Sequence, residues 1–112
     1  MRKDIPQSGW VDFLMRFAKE NEGKRVKLTV QTPQEGEKLL SKQPLVAFEG
    51  DCSGDIVQGV KIVTGEEGDN PDNLFHYIES PQEIQSIEDD DGRLMGAVIS
   101  ARDQTSIVEL AA

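Results

Sequence analysis

The chain has 112 residues, with 21 acidic and 12 basic side chains that give a formal net charge of −9 at pH 7. Binding to a nucleic-acid backbone or to an anionic membrane surface depends on clustered Lys and Arg, so this charge argues against both partners. Hydrophobic residues make up 37% of the sequence, a modest share that still suffices for one core. We therefore expect a single domain over residues 1–112.

Cys52 is the only cysteine, so the chain cannot form an internal disulfide, and nothing indicates an oxidising compartment. Met1–Asp4 leads into an amphipathic helix rather than into a continuous apolar segment, so we expect no signal peptide. The apolar runs are far too short to span a membrane. These features predict a cytoplasmic protein.

The clearest pattern in the chain is a helix at about residues 8–21. Its apolar side chains recur at helical spacing and share one face: Trp10, Phe13, Leu14, Phe17 and Ala18. Ser8 can cap the first turn, and Gly23 can adopt the positive φ that ends a helix. We expect the apolar face to pack on the strand that follows, through Val26, Leu28 and Val30.

The remainder of the chain, about residues 24–110, reads as short strands separated by turns. Strands are predicted at about 24–31, 45–50, 55–64, 74–78, 83–88, 93–100 and 104–110. Gly59 indicates a bulge or bend, and Pro44 prevents a central strand from passing through it. Because short links require antiparallel pairing, we predict an α+β fold with the helix packed on an antiparallel meander. The meander would have about six or seven short strands in a strongly curled sheet or small barrel.

Three segments together resemble a family of short bacterial proteins known only as a domain of unknown function, family number 5335. They are Ile5-Pro6 and Gly9-Trp10 with Phe13, Leu14 and Phe17; Gly23 directly before Val26–Val30; and Ile78–Pro81 through Asp91-Gly92 to Ile107-Val108. The acidic loop 65–73 is longer here than in that family. The resemblance implies one bacterial domain and supplies no activity, cofactor or catalytic residue.

Few residues could carry catalysis. His76 is the only histidine, and it lies in a predicted strand on the face of Leu74 and Ile78. We interpret it as a partly buried strand residue, because a general base would need a nucleophile and an orienting group nearby. Cys52 is interpreted as an ordinary thiol in a turn. We therefore predict no catalytic residues and no cofactor.

The acidic residues offer a different possibility. One loop contains Glu66, Glu67, Asp69 and Asp72, and a second contains Asp89, Asp90 and Asp91. Carboxylates suit Ca²⁺ or Mg²⁺, which makes Asp69 and Asp72 weak candidates for metal ligands. The spacing of a calcium-binding loop is absent, however, and solvated charge is the simpler interpretation.

The aromatic residues Trp10, Phe13, Phe17 and Phe75 are expected in the core. Trp10 lies near the helix start, where partial exposure would make it an interaction surface. Our leading prediction is a non-enzymatic protein-interaction module, monomeric or weakly self-associating, that binds an unknown protein partner through a sheet edge or Trp10. The alternative is a small-molecule or divalent-cation binding domain that uses the acidic loops.

Overall fold

The computed structural model describes residues 1–66 and 71–111. In this part of the chain a 3-10 turn (Gln7–Gly9) leads into one helix, α1 (Trp10–Asn21), and nine strands are present. The strands are β1 (Arg2–Asp4), β2 (Val26–Thr32), β3 (Gly36–Ser41), β4 (Leu45–Ser53), β5 (Ile56–Thr64), β6 (Leu74–Glu79), β7 (Glu83–Glu88), β8 (Leu94–Ser100) and β9 (Thr105–Leu110). The α+β class is confirmed. The strand number was underestimated because β1 and β3 contain no β-branched or aromatic residue, the residue types that favour strands.

The strands form two antiparallel sheets rather than one. The first has six strands in the order β1-β7-β8-β9-β2-β3, and the second has three in the order β4-β5-β6. The prediction of a strongly curled sheet or small barrel is therefore wrong. The chain leaves the first sheet between β3 and β4. Pro44 has no N–H with which to continue a ladder; it forms an isolated bridge to Arg25, and its carbonyl accepts a hydrogen bond from the Gly65 N–H. Leu45 still bonds to the backbone of Gly23 and Lys24, and beyond it β4, β5 and β6 pair with one another in a separate sheet.

The N-cap of the helix lies one residue later than predicted, at Gly9 instead of Ser8. Gly9 occupies the N-cap position without a side-chain hydrogen bond, because Ser8 is taken up by the preceding 3-10 turn. Gly23 adopts φ +86° as predicted. The apolar face of α1 packs most closely on β4, and the rings of Phe17 and Phe48 lie 4.8 Å apart. The expected packing on β2 holds only in part, since Val30 lies outside the cluster that the helix residues share with Val26 and Leu28.

One hydrophobic core joins the helix and both sheets. It includes helix residues such as Leu14 and Phe17, β4 and β5 residues such as Phe48 and Ile62, and residues of the larger sheet such as Ile99. The small sheet therefore lies across the same face of the large sheet as the helix does. This arrangement leaves β6 at an open edge of the small sheet.

Candidate functional site

The edge strand β6 is the feature of the fold that most resembles a binding site. Among the described residues it pairs only with β5. The other edge strands carry features that discourage pairing with a further chain. Every residue of β1 is charged, Glu37 and Lys38 lie in β3, and Leu45 at the start of β4 already bonds to the backbone of Lys24 at 2.8 Å. The only charged residue of β6 is Glu79 at its end, so the residues from Leu74 to Ile78 lack the charged side chains that usually protect an edge strand.

The side chains of β6 separate cleanly by face. Leu74, His76 and Ile78 point toward the core, as the alternation predicted, and Ile78 is fully buried. Phe75 and Tyr77 point outward, with 67% and 48% of their surfaces exposed. The assignment of Phe75 to the core was therefore wrong. The same alternation that places His76 with Leu74 and Ile78 already puts Phe75 on the solvent side.

Tyr77 lies flat across the outer face of the small sheet. Its hydroxyl donates to Asp51 Oδ2 at 2.9 Å, so the ring spans from β6 to β4. Gly59 of β5 makes this possible, because a Cβ there would overlap the Tyr77 hydroxyl. The hydrogen bond to Asp51 raises the pKa of Tyr77. The pairing of β4 with β5 passes from Asp51 and Gly59 to Cys52 and Val57, so the extra residue is Gln58 of β5, beside Gly59, where the bulge was predicted.

The backbone of β6 presents hydrogen-bonding groups to solvent. The Ser80 N–H donates to Gln58 O at 2.8 Å, which continues the ladder with β5. In an antiparallel ladder, alternate residues direct both their N–H and C=O groups to the same neighbour. The even-numbered residues of β6 are in step with Ser80 and bond to β5. Phe75, Tyr77 and Glu79 therefore direct their backbone groups to the open edge.

His76 connects β6 to the larger sheet. Its Nε2 lies 3.0 Å from Ser106 Oγ, and burial lowers the pKa of the imidazole. A histidine beside a serine hydroxyl resembles a base and nucleophile pair. Ser106 is fully buried, however, so its hydroxyl cannot reach a substrate. The pair instead holds the inner face of β6 on β9.

Surface cavities flank both ends of β6. One, of about 610 Å³, is lined near Leu74 by residues of β3 and of the acidic loop. The other, of about 680 Å³, lies at Tyr77 and Glu79 beside the turn of residues 101–104. An extended segment lying along β6 would therefore have space for side chains at each end of the strand.

The acidic candidates fall in different places. Asp72 is exposed and lines the first cavity together with Glu66, whereas Asp69 lies outside the described residues. Within residues 1–66 and 71–111, no three His, Cys, Asp or Glu side chains gather as a metal site would require. Asp89 has a structural role, since its Oδ1 accepts hydrogen bonds from the backbone N–H groups of Asp91 and Arg93 at 2.9 Å.

The remaining predicted residues do not form a site. Trp10 is only 4% exposed, and its Nε1 donates to Ile5 O at 2.9 Å. Trp10 therefore lies in the core, as expected, and the partial exposure that would make it an interaction surface is not found, because the segment before the helix contacts its ring nitrogen. Cys52 lies in β4 rather than in a turn. It is an exposed free cysteine.

In the part of the chain that the structure describes, no helix is long and apolar enough to cross a membrane. Comparisons with protein-family models, with curated proteins and with solved structures find no match. The resemblance to family number 5335 stays a prediction.

Proposed function

We propose that this protein is a non-enzymatic protein-interaction module whose binding site is the open edge of β6. A partner would contribute an extended segment that pairs with β6 and adds a fourth strand to the small sheet. The observation that carries this proposal is the combination of an edge that is unpaired among the described residues, and charged only at Glu79, with two exposed aromatic side chains, Phe75 and Tyr77. Strand addition of this kind takes its affinity from main-chain hydrogen bonds and its specificity from alternate side chains.

The chemistry of the edge favours a partner segment with apolar or aromatic residues at alternate positions. On the outer face, Phe75 lies beside Val63 of β5 in the sheet register, and Tyr77 lies beside Lys61. A side chain opposite Phe75 would gain an aromatic or apolar cross-strand contact, which contributes about 0.2–1 kcal/mol, whereas the Tyr77 ring is turned over β5 toward Asp51. An acidic segment is disfavoured by the net charge of −9.

The alternative of a small-molecule or divalent-cation binder stays a prediction. It would rest on the cavity near Leu74 and on Asp72. No described cluster of ligands supports it beyond the acidic composition of the loop.

The test uses peptides selected from a displayed random library against the immobilised protein. The selected peptides are titrated into the ¹⁵N-labelled protein. We expect the largest amide shifts at Phe75, Tyr77 and Glu79, since their N–H groups would gain hydrogen bonds. Phe75→Pro should abolish binding, because proline removes an edge N–H without breaking a bond to β5.

Met15→Lys is the matched control. Met15 is another exposed apolar residue, and it lies on α1 beside a separate surface cavity. This variant should bind the peptides as the unmodified protein does. Shifts centred on α1, or peptide binding that survives Phe75→Pro, would contradict the proposed site.

A further inference from the structure

We propose that the partner of the β6 edge is an extended basic segment, with Lys or Arg on both sides of an apolar residue. This inference rests on the proposed function, since it names the kind of chain that would pair with the same edge. The docking surface is the open backbone of β6 together with the exposed Phe75 ring. The charges at the two ends of this surface select the partner, because charge complementarity decides which of many extended segments is preferred.

The end of the edge near Leu74 carries an excess of negative charge. The cavity there is lined by two carboxylates, Glu66 and Asp72, and by one cation, Lys42. Asn73 closes the loop that precedes β6, because its Oδ1 accepts from the Glu66 N–H and its Nδ2 donates to Glu66 O, each at 2.8 Å. This clamp keeps Glu66 beside the start of the strand. A partner residue at this end would therefore meet more negative than positive charge.

The end of the edge near Glu79 has the same imbalance. The second cavity is lined by two carboxylates, Glu79 and Asp103, and by one cation, Arg102. Glu79 is exposed, and among the described residues it forms no ion pair. Its neighbour in the pairing with β5 is Gly59, which has no side chain that could neutralise it. A cationic side chain from a partner would gain an opposite charge here.

The positions of these charges set the spacing of the partner's basic residues. The backbone groups of Phe75 and Glu79 point to the open edge, as the alternation of the ladder with β5 establishes. In an added strand that continues the antiparallel pairing, the residues opposite Phe75 and Glu79 both lie on the outer face. The first would be apolar and the second basic. A further basic residue would lie just beyond the start of β6, opposite Asn73 and beside Asp72.

The partner would thus read, from its amino end, as a basic residue, three intervening residues, an apolar residue, one intervening residue and a second basic residue. Opposite charges directly across two strands are favourable, and like charges are unfavourable. The net charge of −9 adds to this preference, since it attracts cationic segments over about 8 Å at physiological salt. A neutral segment would keep the backbone hydrogen bonds and lose this attraction.

The first test compares two end-blocked heptapeptides by titration into the ¹⁵N-labelled protein. The basic peptide has Lys at both ends and Phe at its fifth position. The acidic peptide has Glu in place of both lysines and is otherwise identical. We expect the basic peptide to bind at least about tenfold more tightly, because attractive cross-strand pairs replace repulsive ones. Added salt should weaken its binding. Equal affinities would overturn the inference.

The second test places the charge preference at β6. Glu79→Lys should weaken binding of the basic peptide and strengthen binding of a variant peptide with Glu at its first position. Asp90→Lys is the matched control, because Asp90 is exposed in the turn beyond the far end of β7 and the substitution changes the net charge by the same amount. Glu79→Gln should have a smaller effect in the same direction as Glu79→Lys. If Asp90→Lys weakens the basic peptide as much as Glu79→Lys does, the inference is wrong.

The library selection separates this inference from the proposed function. Selected peptides that bind β6, lose their binding on Phe75→Pro and show no excess of Lys and Arg would overturn the basic partner and leave the strand-addition site standing. Peptides rich in Lys and Arg that still bind Phe75→Pro would overturn both, because their attraction would not require the edge. Peptides that are rich in Lys and Arg and require the intact edge would support both.

Discussion

At the scale of the residue, single side chains on β6 have separate tasks. His76 holds the strand on Ser106 of β9, and Tyr77 holds it on Asp51 of β4. Phe75 is 67% exposed and has no comparable hydrogen bond among the described residues. A phenylalanine this exposed on an edge strand gains little from folding, which makes it the strongest candidate for contact with another chain.

His76 should make stability depend on pH. Burial lowers its folded-state pKa below the ordinary value of 6.5, so the unfolded chain binds the proton more readily. The stabilisation from the neutral imidazole is therefore fully present above about pH 6.5 and is lost as pH falls toward the folded pKa. Urea unfolding can be measured between about pH 7.5 and pH 5, where most carboxylates stay ionised. The free energy of unfolding should decrease as the pH is lowered over this interval.

His76→Gln is the control for this pH dependence. Glutamine keeps a polar group near Ser106 without titrating, so its stability should vary less over the same interval. If both proteins lose stability in parallel, His76 is not the source of the change. An NMR titration of the single histidine would measure the lowered pKa directly.

At the scale of the element, α1 is held by its apolar stripe rather than by its caps. Its N-cap Gly9 makes no side-chain hydrogen bond, whereas Phe17 is fully buried against Phe48 of β4. The apolar stripe could be predicted from the sequence because helical periodicity depends on neighbouring residues. The strand on which the helix mainly packs could not be predicted, because β4 is distant in the chain and β2 is the strand that follows the helix directly.

Phe17→Ala should destabilise the protein by about 3–5 kcal/mol, the usual cost of truncating a buried aromatic side chain. Met15 lies on the opposite side of the same helix and is 66% exposed, so Met15→Ala should change stability by less than about 0.5 kcal/mol. Chemical denaturation at low protein concentration measures both values. Similar small effects from the two substitutions would show that the helix does not close the core.

At the scale of the whole molecule, the two sheets share one core and the acidic charge is spread over the surface. The densest basic group is Lys24, Arg25 and Lys27. Arg25 already donates to Lys42 O at 2.7 Å, and Glu20 and Glu22 lie just before this group. These residues do not form the extended basic surface that binding to a phosphate backbone requires.

We therefore expect no measurable binding of DNA or RNA at physiological salt. A mobility-shift assay with single and double strands provides the check. Single-strand binding would also need stacked aromatic platforms, and only Phe75 and Tyr77 are substantially exposed among the described aromatic residues. Micromolar or tighter binding that weakens steeply with salt would show that a local basic surface outweighs the net charge.

Local patterns in the sequence determined the helix and most strand positions. The predicted strand at 83–88 agrees with β7 (Glu83–Glu88), and Gly23 ends the helix segment with the expected positive φ. These features depend on neighbouring residues alone: side-chain periodicity, turn chemistry and the conformational freedom of glycine. The alternation of residues in β6 likewise predicts that Phe75 is exposed, although an aromatic side chain is usually expected in the core.

Only the tertiary structure decided how the strands are shared between sheets. Pairing of β2 with β9 and of β1 with β7 joins residues far apart in the chain, and the local sequence of these strands would suit several partners equally well. The split at Pro44 leaves β6 as an open edge, and that edge defines the candidate site. Strand order is set by long-range packing of the whole core, since a strand's own periodicity specifies which face is buried and not which strand lies beside it.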